Sequence, residues 1–104
     1  MNEEKISILI TNFNKDKFIE ECILSCLRQN HDNLEIIIVD NLSTDKSMNI
    51  IKKYLEKLVI ITKKRESLHS PKNQIDSLIQ AFKKSTGNLI LLLDGDDYFL
   101  PNKV

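Results

Sequence analysis

The sequence predicts an α/β fold of three layers, a mostly parallel sheet in spatial order 3-2-1-4 with helices on both faces. Strand-like and helix-like hydrophobic patterns alternate along the 104 residues without a break. Two of the strand-like runs, Ile36–Val39 and Leu89–Leu93, are continuously apolar, as strands covered on both faces are. Strands separated by helices must be joined by right-handed crossovers, which makes neighbouring strands parallel.

The elements follow in order. Ile6–Thr11 is short, apolar and β-branched, and reads as the first strand. Asn14 is placed to cap a first helix with apolar positions Ile19, Cys22, Ile23, Cys26 and Leu27, the stripe of an amphipathic helix. Asn30–Asn33 is a polar break, and Leu34–Asp40 the second strand. Ser43 or Thr44 is expected to cap a second helix carrying Met48, Ile51, Leu55 and Leu58. Val59–Thr62 is a brief third strand, and Lys63–Ser70 a charged loop. Pro71 suits the first turn of a third helix whose buried face is Ile75, Leu78, Ile79 and Phe82, with Gly87 just past its end. Leu89–Asp94 is the fourth strand. The pattern is Rossmann-like, one domain over residues 1–104.

Composition narrows the function. Apolar residues are 41% and charged residues 29%, a globular mixture. Fifteen basic and fifteen acidic side chains cancel, so bulk charge points to no nucleic acid. The balance is uneven: residues 1–52 carry six basic and nine acidic groups, residues 53–104 nine and six. Two glycines, Gly87 and Gly95, supply neither a dinucleotide fingerprint nor a P-loop. No apolar run approaches the roughly 20 residues that span a bilayer. Cys22 and Cys26, four apart on one predicted helix, read as core residues of a reduced, cytoplasmic protein, and His31 and His69 show no metal-ligand spacing around them.

In open parallel sheets, ligands bind beyond the carboxyl ends of the strands where the winding reverses. That directs attention to Thr11–Asn14, Asp40–Asp45, Lys63–Ser70 and Asp94–Asp97. The turn Asp94-Gly95-Asp96-Asp97 sets three carboxylates in four positions. They repel unless solvated or neutralised, and Mg²⁺ or Mn²⁺ takes hard oxygen ligands of this kind together with substrate phosphates. A solvated Asp-Gly turn is the competing reading. An EF-hand is excluded, because Phe99 stands where the loop needs glycine. Asp40 could accept a hydrogen bond from a base imide or a ribose hydroxyl. Phe13 could stack on a base or pack on the first helix. Lys63, Lys64, Arg65 and Lys72 form a solvated basic face or meet a diphosphate.

Ile6–Asn14, Ile37–Asp45 and Leu91–Pro101 resemble the nucleotide-binding half of family 2 glycosyltransferases with the GT-A fold. The resemblance covers nearly the whole chain, and the order and spacing of Val-Asp-Asn-x-Ser-Thr-Asp and Asp-Gly-Asp-Asp-x-x-x-Pro carry its specificity. It implies binding of a nucleotide-diphospho-sugar, a UDP-sugar first, with Mn²⁺ or Mg²⁺, for inverting transfer to a glycan or lipid-linked acceptor. By resemblance, Thr11, Asn12, Phe13 and Asp40 hold the base, and Asn14 also belongs to the nucleotide-sugar site. Asp94 and Gly95 lie at the ribose, Asp96 is the principal metal contact with Asp94 beside it, and Lys72 faces the diphosphate. The first loop departs from the commoner Pro-Thr-Tyr-Asn, keeping the aromatic and the final Asn. Lys72 replaces an arginine, which keeps the charge and loses the bidentate fork.

The resemblance also implies that family members continue past this stretch, with the general base and the acceptor surface beyond Val104. The chain is thus expected to be a truncated domain that binds without transferring. It is expected to be cytoplasmic or peripheral at the inner membrane face, with an open sheet edge inviting a homodimer. Asp94-Gly95-Asp96 is also similar to the nucleophile loop of haloacid-dehalogenase phosphatases, but that loop follows the first strand. A response-regulator receiver would end its third strand in Asp, where this chain has Thr62. A non-catalytic nucleotide-binding or interaction fragment is the third alternative.

Overall fold

The computed structural model describes residues 4–29, 33–62, 78–79 and 81–95. Its centre is a four-stranded sheet of β1 (Ile6–Asn12), β2 (Leu34–Asp40), β3 (Val59–Thr62) and β4 (Leu89–Asp94), in order β3-β2-β1-β4. Every pairing is parallel, as expected. The register aligns the carboxyl ends: Asn12 lies opposite Asp40, and Thr11 opposite Asp94. The winding reverses at β1, between β2 on one side and β4 on the other.

Alternation of side chains explains why the strands are apolar throughout. Ile8, Ile10, Ile36 and Ile38 point to the face covered by helix α1 (Ile19–Leu27) and helix α2 (Ser47–Lys52), where they meet Ile19, Cys22, Ile23, Cys26 and Ile51. Leu9, Ile37 and Val39 point to the opposite face and pack with Ala81, in the helical residues 81–84. Each such fully buried Ile or Leu contributes about 1.5–3 kcal/mol. Cys22 and Cys26 are free thiols buried in the first cluster. None of the helices among the described residues is long and apolar enough to cross a membrane.

Several local expectations change. β1 is buried along its full length and β2 over its last five residues, whereas the outer strands are not. Val59 on β3 and Leu89 and Leu92 on β4 are exposed, because each outer strand has one neighbour instead of two. Helix α1 starts at Ile19 without a side-chain cap, so Asn14 does not cap it. Helix α2 stops at Lys52, and a 3₁₀ turn, Leu55–Lys57, follows. Leu55 is therefore exposed, while Leu58 is buried as the chain straightens toward β3. Of the expected third helix, Pro71 in its first turn and Ile75 on its buried face lie outside the described residues. Among the described residues of this segment, Leu78 is half-buried, Ile79 and Phe82 are exposed, and Ala81 is buried in the core.

Gly87 is not a left-handed helix cap either, since neither glycine has a positive φ. It is small because it crosses β1. A Cβ there would lie 2.5 Å from Ser7 Oγ and 2.7 Å from the Ser7 amide nitrogen.

Candidate functional site

The parallel register brings the polar ends of β1, β2 and β4 to one rim of the sheet. Thr11, Asn12 and Asp40 are buried there, Gly95 is buried beside them, and Asp94 is half-buried. β-Branched Thr11 is in the β1–β4 ladder, and the Gly95 N–H donates to its carbonyl at 2.9 Å. The Asn41 N–H donates to the Asn12 carbonyl at 2.9 Å, which prolongs the β1–β2 pairing by one residue.

Asp40 is fully buried and accepts hydrogen bonds from protein donors on both carboxylate oxygens. Oδ1 accepts from Asn12 Nδ2 at 2.8 Å and from Ser43 Oγ at 2.6 Å; Oδ2 accepts from the Ser43 N–H at 2.8 Å. Ser43 is thus not a helix cap. Its oxygen also accepts from Asn12 Nδ2 at 3.1 Å and from the Asn14 N–H at 3.0 Å. Asn12 Oδ1 is buried without a hydrogen-bond partner.

Asn14 adopts a left-handed conformation with φ 52°, which Asn tolerates better than most residues. Its Oδ1 accepts from the Thr44 N–H at 2.7 Å and the Asp45 N–H at 3.3 Å, thirty residues along the chain. Asp45 continues the clasp: Oδ2 accepts from the Asp16 N–H and Oδ1 from the Ser47 N–H, both at 2.9 Å. Burial pushes the Asp45 carboxyl up, but the hydrogen bonds from Ser47 and Asp16 outweigh it and hold the pKa below its ordinary value. Asp45 is therefore the side chain that opens α2, the place expected for Ser43 or Thr44. Phe13 is half-buried.

Of the residues expected at the site, Thr11, Asn12, Asp40, Asp94 and Gly95 meet at the rim, and Asn14 ties the first loop to the second. Lys72, Asp96 and Asp97 lie outside the described residues, as do Lys63–Arg65. The described residues contain no group of three or more His, Cys, Asp or Glu that could hold a metal. Residues not singled out from sequence are Ser43 as a partner of Asp40, Asp45 as the loop clasp, and Cys22, whose Sγ sits 3.6 Å from the Asp94 carbonyl. The spacing Asp-x-x-Ser, which lets a carboxylate accept from the N–H three residues on, is the signal for the first of these. An apolar groove of about 380 Å³, lined by Leu9, Leu78, Ile79, Phe82, Ile90 and Leu92, lies on the sheet face instead of the rim.

Fold and rim together define an α/β protein whose polar strand ends meet at the winding reversal. The family model described as "Glycosyl transferase family 2" matches residues 7–104, and the chain belongs to that family. It is 34% identical over 106 residues to a glycosyltransferase of Haemophilus influenzae, covering 100% of this chain and 41% of that protein. It is similar to the crystal structure of residues 1–349 of TarS from Staphylococcus aureus, with TM-score 0.71, 30% identity, and 90% of this chain and 28% of that one covered. TarS is a poly(ribitol-phosphate) β-N-acetylglucosaminyltransferase whose structure is also known with UDP-GlcNAc. A mannosyltransferase from Pyrobaculum calidifontis, in complex with GDP-Man and Mn²⁺, shares the fold at TM-score 0.82 and 19% identity, over 97% of this chain and 30% of that one. The chain thus spans well under half the length of these relatives.

Proposed function

We propose that this chain is the donor-binding part of a glycosyltransferase that takes a nucleotide-diphospho-sugar, with UDP as the nucleotide, together with a divalent cation. The observation that carries the reading is the convergence of Thr11, Asn12, Asp40, Asp94 and Gly95 at the winding reversal of a family 2 chain. The UDP choice is supported by the UDP-GlcNAc complex of TarS at 28% identity. In this reading the base lies along Thr11–Asn14 with Phe13 against its ring, and Asp94 and Gly95 meet the ribose. Transfer to a glycan or lipid-linked acceptor, with inversion, is the reaction such a site serves, and a cytoplasmic location is consistent with the two free thiols.

The donor chemistry at the end of β4 fits a hard cation. Asp94 offers a carboxylate, Asp96 follows two positions on in sequence, and Mg²⁺ or Mn²⁺ is commonly held by one or two carboxylates plus substrate phosphates. Bound there, the cation supplies charge neutralisation for the diphosphate. In this reading the chain's own residues bind the base and the ribose. With 41% or less of these relatives' lengths spanned, the activity proposed for the chain alone is binding without transfer.

Titration calorimetry tests this. UDP should bind more tightly with Mn²⁺ or Mg²⁺ than in EDTA, and more tightly than ADP or CDP. Asp96→Asn should remove the metal dependence. Metal-independent binding, or equal affinity for all nucleoside diphosphates, overturns the reading. A series of UDP-sugars then ranks the donors.

A further inference from the structure

We infer that Asp40 serves the donor site as a positioning residue: through the Asn12 carboxamide, its buried carboxylate sets where the Asp94–Gly95 turn sits. The inference rests on the proposed donor site and assigns Asp40 a part in it other than contact with the base. Asp40 is 0% exposed, and the partners of its two oxygens are the Asn12 amide and the Ser43 hydroxyl and N–H. All are donors, as an ionised carboxylate requires.

That arrangement fixes which way Asn12 points. Its Nδ2 is committed to Asp40 and Ser43, at 2.8 and 3.1 Å, so its Oδ1 must face the other way. A flipped amide would set Oδ1 against the Asp40 oxygen. On that other side lies Gly95: a Cβ on Gly95 would stand 2.7 Å from Asn12 Oδ1 and 3.2 Å from the Thr11 carbonyl. The turn is therefore seated against Asn12, with room for hydrogen alone. Asn12 Oδ1 is buried and unpartnered, so its desolvation is a cost the orientation sustains. The atoms nearest that Cβ belong to Asn12, Thr11 and Ile19, so Asp40 acts on the turn at second hand. Asp40→Asn must oppose an NH₂ group either to the Ser43 N–H or to the Asn12 amide and Ser43 hydroxyl, and loses the carboxylate charge that holds Asn12 in both cases.

The two glycines make the test selective. A chain labelled with ¹⁵N-glycine has two backbone resonances, Gly95 with its N–H on the Thr11 carbonyl and Gly87 with its N–H on Ser7 Oγ. Asp40→Asn should move the Gly95 resonance and leave Gly87 in place. It should also weaken Mn²⁺-dependent binding of UDP and CDP alike, by about tenfold, and add nothing further in an Asn12→Ala background. An unmoved Gly95 resonance overturns the proposal. So does a loss confined to UDP that adds to that of Asn12→Ala, which is the signature of direct contact with the base. If Asp40→Asn does not fold, Asp40→Ala replaces it by removing both oxygens that hold Asn12 and Ser43, and an unmoved Gly95 there is equally decisive. A wild-type chain that binds no nucleoside diphosphate would count against the donor-site reading, while the glycine resonances still decide the positioning.

Discussion

The two ends of the sheet are built from the same parts and put to different use. At the amino end, Ser7 on β1 lies opposite Glu35 on β2, and Gly87 crosses close to Ser7. At the carboxyl end, Asn12 lies opposite Asp40, and Gly95 sits close to Asn12. Each end thus joins a polar residue of β1, a carboxylate of β2 and a glycine beside β4. The amino end is closed. Glu35 accepts from Ser7 Oγ at 2.7 Å and from the Thr86 N–H at 2.9 Å, with Lys5 at 3.7 Å, and Ser7 Oγ in turn accepts from the Gly87 N–H. The carboxyl end leaves Asn12 Oδ1 unpartnered and holds two non-glycine residues, Asn14 and Leu42, at positive φ. Unmet polar groups and left-handed backbone gather where ligands bind in this fold, and among the described residues the far end carries neither.

The glycines offer the sharpest way to break the symmetry. A Cβ on Gly87 meets backbone, the Ser7 nitrogen at 2.7 Å and the Ile6 carbonyl carbon at 3.0 Å, and β1 cannot yield without breaking its ladders. Gly87→Ala should cost about 2–3 kcal/mol in urea unfolding, the upper range for overpacking, with metal-dependent UDP affinity preserved in the folded fraction. A Cβ on Gly95 first meets a side-chain oxygen, Asn12 Oδ1 at 2.7 Å, which can move. Gly95→Ala should cost about 1 kcal/mol and should lose most of the UDP affinity. Equal stability losses with equal binding would abolish the distinction between the ends.

Glu35 gives the next effect. Burial pushes its carboxyl up, but the hydrogen bonds from Ser7 and Thr86 and the Lys5 charge prevail, and its pKa is lowered. A carboxylate with a depressed folded pKa adds stability above the unfolded value of about 4.3, and loses it as pH falls through the folded value. Wild-type stability should therefore fall through this acid range. Glu35→Gln should be less stable by about 1 kcal/mol at neutral pH and should show a shallower acid decline. Urea midpoints between neutral pH and pH 3 measure both. A variant with the wild-type acid slope would show that Glu35 does not titrate differently on folding.

What the sequence disclosed follows from how local each cause is. The β2 run Ile36–Val39 is legible because β2 lies between two strands and both its faces are covered, a condition written into four successive residues. The strand order goes with the resemblance to the GT-A fold, because the crossover rule sets the hand of each connection and not the order of the strands. Leu55 misled because its helical spacing persists where the chain has already turned toward β3. Asn14 misled for a different reason. Its position before a helix is local information, but its partners are the amides of Thr44 and Asp45, thirty residues away. The site was legible as a set of strand ends and acidic residues. Its wiring through Ser43, Asp45 and Gly95 was not, because it depends on which strand ends become neighbours.

The smallest predicted effect concerns Leu42, 49% exposed with φ 57°. A left-handed conformation costs a side-chain-bearing residue about 1–2 kcal/mol, and glycine adopts it freely but loses more entropy on folding, about 0.5–1 kcal/mol. The strain outweighs the entropy, and half of the Leu42 side chain faces solvent, so little packing is lost on removing it. Leu42→Gly should therefore raise stability by about 0.5 kcal/mol. The corresponding exchange at the other end, Thr86→Gly, should lower it, because Thr86 has no positive φ to relieve and its hydroxyl donates to Glu35 Oε1 at 3.2 Å. Paired urea titrations read both signs against wild type. Destabilisation by Leu42→Gly would mean that the leucine packs more than it strains, and the carboxyl rim would then differ from the amino end in its unpartnered oxygen but not in its backbone.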